Sequence, residues 1–240
     1  MNIIAITQKG PNKAENEDRI ILGKNIIAEG TFQTQLANGI IAVADGVGGN
    51  NAGAVASHYV AKRLSTLNTV SENELTKINE ELLSLSLECS SYENMATTLS
   101  GVASFNGATQ LFSIGNTRVY LLQGRKYLKQ LTTDDTTLNY LLATGQLSPE
   151  EAETFDRKNE ITACFGGGAA HLFKMKCSTI ESLSSPIMMT SDGIHDYISI
   201  DLMEDIIAEN GITVSACQAM IAAARDAGSK DDISIVIGEI

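Results

Sequence analysis

The alternation of apolar and polar positions divides the chain into blocks of strands and blocks of helices. Residues 3–8 read as a strand that Gly10-Pro11-Asn12 breaks. A dense polar cluster, Lys13-Ala14-Glu15-Asn16-Glu17-Asp18-Arg19, precedes apolar Ile20-Ile21-Leu22 and, by pattern alone, reads as a solvated turn between two strands. Residues 39–44 form a continuous apolar run, long enough for one buried strand, and end in Asp45-Gly46-Val47-Gly48-Gly49. From Gly53 the period becomes helical: Val55, Ala56, Tyr59, Val60 and Leu64 share one face, with Lys62 and Arg63 outside it. Ser71-Glu72-Asn73-Glu74 has capping-box spacing and opens a second helix, with Leu75, Ile78, Leu82 and Leu85 inward.

Strands then return. Residues 98–105 turn at Asn106-Gly107, a hairpin signal, into 109–114. Gly115-Asn116-Thr117 turns into 118–122, and Gln123-Gly124-Arg125 into 127–131. Connections this short predict an antiparallel meander. Residues 132–168 are the least regular: a short helix at 136–143, a second opened by Ser148-Pro149-Glu150-Glu151, and a close at Gly166-Gly167-Gly168. An excursion of this length predicts a lid or substrate flap. A strand at 170–177, another ending at Asp192, helices near 200–209 and 213–226 and a last strand at 233–237 complete the chain. Blocks of this kind predict an α+β fold with antiparallel sheets rather than a doubly wound parallel sheet.

Composition narrows the class. The 240 residues are 43% hydrophobic with 3 prolines, enough for a sizeable core, and no composition break divides them, which predicts one domain. The net charge of -12 and pI of 4.6 exclude a nucleic-acid surface, which needs clustered Lys and Arg. Cys89, Cys164, Cys177 and Cys217 lack C-x-x-C pairing and are expected as reduced core thiols. His58, His171 and His195 are too scattered for a histidine metal site or a Ser-His-Asp triad, which leaves the chemistry to carboxylates. The start of the chain has no basic leader and no apolar segment approaches membrane-spanning length, so a cytoplasmic protein without membrane contact is expected.

The carboxylates sit where strands end. Asp45 tips one apolar strand, and Ile187-Met188-Met189-Thr190-Ser191-Asp192-Gly193 repeats the grammar. One Asp-Gly alone reads as a hairpin turn. Two of them, each ending a strand too apolar for the surface, point to a carboxylate site. Glu17-Asp18 and Asp231 also abut an apolar strand or a glycine turn. Carboxylates brought together cannot all stay ionised without cations. Hard oxygen donors suit Mg²⁺ or Mn²⁺, and two such ions about 4 Å apart could share a hydroxide and polarise a phosphoryl group.

The order of the short motifs carries a resemblance. Asn16-Glu17-Asp18, Asp45-Gly46-Val47-Gly48-Gly49, Thr97-Thr98-Leu99 and Gly115-Asn116-Thr117-Arg118-Val119-Tyr120 come first. Leu131-Thr132-Thr133-Asp134, Asn159-Glu160-Ile161-Thr162, Ser191-Asp192-Gly193-Ile194-His195-Asp196 and Asp231-Asp232-Ile233-Ser234 follow. The chain thus resembles, along its whole length, the metal-dependent serine/threonine protein phosphatases of the PPM (protein phosphatase 2C) type, and its compact size resembles bacterial members. The resemblance implies two antiparallel β-sheets packed as a sandwich and flanked by pairs of helices, four layers in all. It makes 1–240 a catalytic domain with a flap subdomain at about 132–168.

The resemblance also implies roles. Asp45 would bridge two Mg²⁺ or Mn²⁺ ions and the Gly46 carbonyl would bind one of them. Asp192 and Asp231 would complete the other site. Asp18, with Glu17, would orient metal-bound water, and the bridging hydroxide would attack phosphorus in line. Lys13 would grip the substrate phosphate, with a point charge in place of the family's arginine fork. Asn116 replaces an Asp that helps bind a third ion beside Asp192 and Asp196, so that site is expected to be weak. Val47 stands where many eukaryotic members have His, Asp232 where Asn is usual and Ala96 where Gly is usual. The implied substrates are phosphorylated Ser/Thr proteins, a cognate bacterial kinase among them, for a monomeric enzyme. Lys13 and Asn116 support an alternative, a non-catalytic pseudophosphatase that binds a phosphoprotein. An unrelated metal-dependent hydrolase would explain the carboxylates but not the ordered turns between them.

Overall fold

The computed structural model describes residues 1–48, 52–180 and 185–239, so Gly49 of the glycine run lies outside the described residues. The chain opens with β1 (Asn2–Gln8), β2 (Arg19–Leu22), β3 (Asn25–Ile27), β4 (Gly30–Gln35), β5 (Gly39–Ala44) and β6 (Gly46–Val47). Helices α1 (Ala52–Leu64) and α2 (Glu72–Ser86) follow, then β7 (Ala96–Thr97), β8 (Leu99–Phe105), β9 (Ala108–Ile114), β10 (Arg118–Gln123) and β11 (Tyr127–Gln130). Next come α3 (Thr137–Ala143), α4 (Pro149–Ala152), β12 (Phe165–Gly166), β13 (Lys176–Ile180) and β14 (Ile187–Thr190). The chain closes with α5 (Asp192–His195), α6 (Ile200–Asn210), α7 (Val214–Asp226) and β15 (Ile233–Glu239).

One six-stranded sheet runs β11-β10-β14-β15-β1-β4 and the other β13-β9-β8-β5-β2-β3; a small third sheet, β12-β7-β6, lies against α1 and α2. Every pairing is antiparallel. Alternation along β5 sets the layers, because successive side chains point to opposite faces. Ile41 and Val43 meet Ile3, Ala5, Val119, Met189 and Val236 in a core between the two large sheets. Ile40, Ala42 and Ala44 face Ala56, Val60 and Leu64 of α1 and Leu75, Ile78 and Leu82 of α2. Behind the other sheet, Ile6, Tyr120, Met188 and Ile235 pack on Met203 and Ile207 of α6 and Met220 and Ile221 of α7. The order is therefore helix, sheet, sheet, helix. A strand covered on both faces has no polar side, which is why β5 reads as an unbroken apolar run.

Local signals hold where they rest on backbone chemistry. Asn106 and Gly107 both take positive φ, 53° and 79°, as a tight hairpin turn requires. Ser71 caps α2 by accepting from the Glu74 N–H, and Ser148 opens α4 with a full capping box and Pro at the start. Three expectations need correction, and two strands were not anticipated. The meander does not stay in one sheet: β9 and β10 lie in different large sheets, so the Gly115-Asn116-Thr117 turn crosses between layers. The strand expected at 170–177 is a 3₁₀ turn, Ala170–Leu172, with β13 beginning only at Lys176, because Phe173 is used against Phe165 at 5.0 Å. Strands β3 and β4 escape the apolar pattern, since β4 is a polar strand exposed along most of its length. Cys164 and Cys217 are core thiols, but Cys89 and Cys177 are exposed; all four are free. Among the described residues no helix is long and apolar enough to cross a membrane.

Candidate active site

The strands end together at one edge of the sandwich. Arg19 of β2 is opposite Ala44 of β5, so Asp18 and Asp45 emerge side by side from one large sheet. Thr190 of β14 is opposite Ile235 of β15, so Asp192 and the Asp231-Asp232 pair emerge from the other. Two layers thus each contribute carboxylates to one centre. The polar cluster 13–19 is not the solvated turn that its composition suggests: Asn16, Asp18 and Arg19 are buried.

Hydrogen bonds hold this loop against both sheets. Asn16 donates its amide to Thr7 Oγ1 (2.9 Å) and to the Ala28 carbonyl (2.8 Å), while its Oδ1 accepts the Asp18 N–H (2.9 Å). Asp232 accepts the Gly10 N–H (2.8 Å) on one carboxylate oxygen and the Glu17 N–H (2.7 Å) on the other. Asp18 Oδ2 accepts from Ser191 Oγ (2.8 Å), which in turn accepts the Ser234 N–H (2.9 Å); Asp18 Oδ1 is buried without a partner. Around Asp45, Thr98 Oγ1 accepts the Asp45 N–H (3.1 Å), and the Asp45 carbonyl accepts from the Thr98 N–H (2.8 Å) and Thr97 Oγ1 (2.9 Å). The Thr97-Thr98 motif is thereby a clamp on the backbone of Asp45. Gly46 lies against α1 with no room for a side chain, since an added Cβ would stand 2.2 Å from the Gly53 carbonyl oxygen.

Crowding of like charges leaves a clear electrostatic mark. Burial, reinforced by Asp192, Asp18 and Asp231, pushes the Asp45 carboxyl well above the usual carboxylate range. Burial and Asp231 push Asp192 up as well. Burial raises Asp18 to about 7, with Asp232 and Asp192 adding to the rise and hydrogen bonds from the two serines opposing it. Lys13 answers part of this charge: its ammonium lies 2.5 Å from Asp231, 3.2 Å from Asp232 and 3.2 Å from Glu17. Burial works against that ammonium, but the bond to Asp231 and the surrounding carboxylates hold its pKa above the ordinary lysine range.

Asn116, at the turn between the sheets, donates its amide to Asp192 Oδ2 (3.0 Å), and its own Oδ1 is buried without a partner. Asp196 stands at the rim, where burial and Asp192 raise it to about 7, and accepts from Asn159 Nδ2 (2.5 Å). A cleft of about 590 Å³ opens from here, lined among others by Arg118, Asn139, Phe155, Asn159, His195 and Asp196. Its outer wall is the 132–168 segment. Arg118 is bound bidentately to Asp134, and burial together with Arg118 keeps His195 neutral, its Nδ1 at 2.7 Å from Thr190 Oγ1.

The centre therefore gathers Lys13, Glu17, Asp18, Asp45, Asp192 and Asp231, with Gly46, Asn116 and Asp196 beside them. Sequence reasoning missed the parts played by Ser191, Asn159 and Arg225. Arg225 of α7 donates to the carbonyls of Asp231 (2.6 Å), Ser229 (3.1 Å) and Lys9 (3.2 Å) and so fixes the turn that carries Asp231. A lone arginine in the last turn of a helix gives no sequence signal for this. Ser191 and Asn159 did carry one, since both lie inside the quoted motifs.

No family model matches the chain. It is 28% identical over 249 residues to protein phosphatase PhpP of Streptococcus pneumoniae, covering 99% of this chain and 96% of that one. Along nearly its whole length the chain is thus similar to PPM-type phosphatases. Its fold agrees with the family: the serine/threonine phosphatase PstP/Ppp of Mycobacterium tuberculosis superposes with a TM-score of 0.81 at 23% identity, covering 99% and 98% of the two chains. A PstP catalytic domain described in complex with two manganese ions superposes with a TM-score of 0.75 at 23% identity, covering 99% and 98%. The four-layer order is thus shared with these solved phosphatase structures.

Proposed function

We propose that the chain is a protein serine/threonine phosphatase that hydrolyses phosphoserine and phosphothreonine using two Mg²⁺ or Mn²⁺ ions. One observation carries the reading: Asp18, Asp45, Asp192 and Asp231 come from four strand ends to one centre, where burial and mutual repulsion raise three of them. The match to PhpP over nearly the whole of both chains supports it, as does the manganese-bound PstP neighbour.

The donors suit a hard divalent cation. They are oxygens only, and Asp18 Oδ1 and Asn116 Oδ1 are buried acceptors without partners. Among the described residues no three acidic, histidine or cysteine side chains already form a metal cage. Lys13 holds Asp231 at 2.5 Å, and Asp231, whose side chain is 43% exposed, has room to turn. Asp45, the Gly46 carbonyl, Asp192 and Asp231 would hold the ions, with Glu17, Asp18 and Asp196 around them. Such ions, when bound, polarise phosphoryl oxygens and lower the pKa of water.

The chain's own residues do the rest. Asp18, held by Ser191, keeps one oxygen free to accept a proton from water and fix its orientation. Lys13, released from Asp231, places a positive charge beside the phosphoryl group. The 132–168 segment, as a flap, walls the cleft that receives the residues flanking the phosphate. Asn116 fills the place of a third cation with an amide and weakens that site. A cytoplasmic monomer acting opposite a bacterial Ser/Thr kinase completes the proposal.

The test is hydrolysis of an aryl phosphate and a phosphothreonine peptide under titration with Mn²⁺ and Mg²⁺, beside Asp192→Ala. Metal-dependent turnover that the substitution abolishes supports the phosphatase. Metal binding without turnover on either substrate would make the chain a non-catalytic binding module, and no metal binding at all would undo the site.

A further inference from the structure

Strand β4, Gly30-Thr31-Phe32-Gln33-Thr34-Gln35, is the open edge of its sheet. Edge strands are normally protected by charge, proline or brevity. The other three edges of the two large sheets obey this: β11 carries Lys129, β13 starts at Lys176, and β3 has only three residues and follows Lys24. β4 has six residues, no charge and no proline, and Thr31 to Gln35 are all exposed.

Its backbone register identifies the open groups. Met1 and Leu36 exchange both hydrogen bonds, at 2.9 and 3.0 Å. Bonded pairs alternate along an antiparallel ladder, so Ile3/Thr34, Ala5/Phe32 and Thr7/Gly30 are also bonded inward. Thr31, Gln33 and Gln35 therefore turn their N–H and C=O groups to the open side. Beside the far end lies a cleft of about 360 Å³ whose lining includes Asn2, Gln33, Gln35, Ile212 and Glu239.

The strand also points at the candidate active site. Gly30 is opposite Thr7, whose hydroxyl oxygen accepts from Asn16 (2.9 Å) and Ser234 (2.8 Å) at the carboxylate edge. Charge selects the occupant. A chain of net charge -12 repels a second copy, and Glu29 precedes the strand while Glu239 at its far end is paired with Arg125, so a basic segment is favoured on the net charge and Glu29.

We propose that β4 is a docking edge for an extended, basic segment of the phosphoprotein substrate, which adds to the sheet as one more strand. The added strand would stand three strand spacings from β15, about 14 Å, a distance that about four to five extended residues span. Antiparallel addition runs the segment toward the active site, so docking lies on the N-terminal side of the phosphorylated residue. This proposal rests on the phosphatase reading, and aryl phosphate turnover tests that reading separately.

The experiment compares a phosphothreonine peptide carrying a Lys/Val/Thr hexapeptide and a five-residue spacer on its N-terminal side with the same peptide truncated. The long peptide is expected to have a KM about tenfold lower at unchanged kcat. Gln33→Pro, which deletes an outward N–H while sparing the bonds to β1, is expected to remove that advantage and leave aryl phosphate turnover unchanged. Methylating alternate backbone nitrogens of the hexapeptide should do the same with the unsubstituted protein, whatever the folding of the variant. Fluorescence anisotropy of the labelled peptide reads docking even without turnover. Equal KM and equal binding for the long and truncated peptides overturn the proposal. So does a concentration-dependent dimer that Gln33→Pro dissolves, because the edge would then belong to a second copy.

Discussion

Asp232→Ala is expected to release the 10–17 loop while leaving the sheets intact. The carboxylate is almost fully buried and accepts two main-chain N–H groups, from Gly10 and Glu17, at 2.8 and 2.7 Å. Hydrogen bonds to a charged group contribute about 1.5–3 kcal/mol each, so losing both costs about 3–6 kcal/mol. That is a large part of the about 5–15 kcal/mol by which proteins are typically stable. Asp232→Asn keeps one acceptor and turns an NH₂ toward the other N–H, for a loss of about 2–3 kcal/mol. At about 2–4 °C per kcal/mol for a chain of this size, the Asn variant should melt about 4–12 °C lower. Urea denaturation of the chelator-treated protein measures the loss. Hydrogen exchange at Gly10 and Glu17 then separates local opening of the loop from global unfolding. Stability of Asp232→Ala within about 0.5 kcal/mol of the parent, with both amides still protected, would refute the account of how this loop is held.

Three further outcomes are expected. Asp18 is raised from 3.8 to about 7 in the folded state, so the folded protein keeps a proton that the unfolded chain loses from about pH 4 upward. Stability of the metal-free protein should therefore fall by up to about 4 kcal/mol between pH 4 and 7 from this group and then level off, and Asp18→Asn should flatten the profile; thermal melts across pH check it. Gly46→Ala drives a methyl to 2.2 Å from the Gly53 carbonyl oxygen and should cost about 1–3 kcal/mol with loss of Mn²⁺ binding, read by denaturation and calorimetry. Asn116→Asp replaces an amide that donates to Asp192 with a like charge, so it should destabilise the metal-free protein and raise the affinity for an additional cation. Unchanged calorimetric stoichiometry and no gain in activity at any Mn²⁺ concentration would count against that.

Where burial is two-sided or a turn needs special backbone angles, the chain could be read directly. The run ending at Asp45 is apolar because α1 and α2 cover one face of β5 and the opposite sheet covers the other. Asn106-Gly107 turns because both residues take positive φ. The failures share a cause as well. The Lys13–Arg19 cluster looks solvated because hydrophobicity counts side chains and not partners, yet its polar groups are consumed by Thr7, Ala28, Ser191 and Asp232. The passage from β9 to β10 between layers is invisible because a three-residue turn has the same signature whether it stays in a sheet or leaves it. β4 went unseen because an exposed edge strand has no apolar face to reveal it. Candidate carboxylates could be named from their places at strand ends, whereas Arg225 acts on the Asp231 turn across a distance that no local pattern encodes.

The two sheets each supply carboxylates to the same centre, and this makes the site a joint as well as a place for chemistry. Asp18 and Asp45 belong to one layer, Asp192 and Asp231 to the other, and their repulsion pushes the layers apart at that edge. A cation bound between them would act as a clasp, and its binding energy would be added to that of folding. At a free concentration one hundred times its dissociation constant, the clasp would add about 2.7 kcal/mol. The lifetime of such a protein in a cell would then follow the supply of divalent ions, and scarcity would thin out the protein itself before any question of turnover arose.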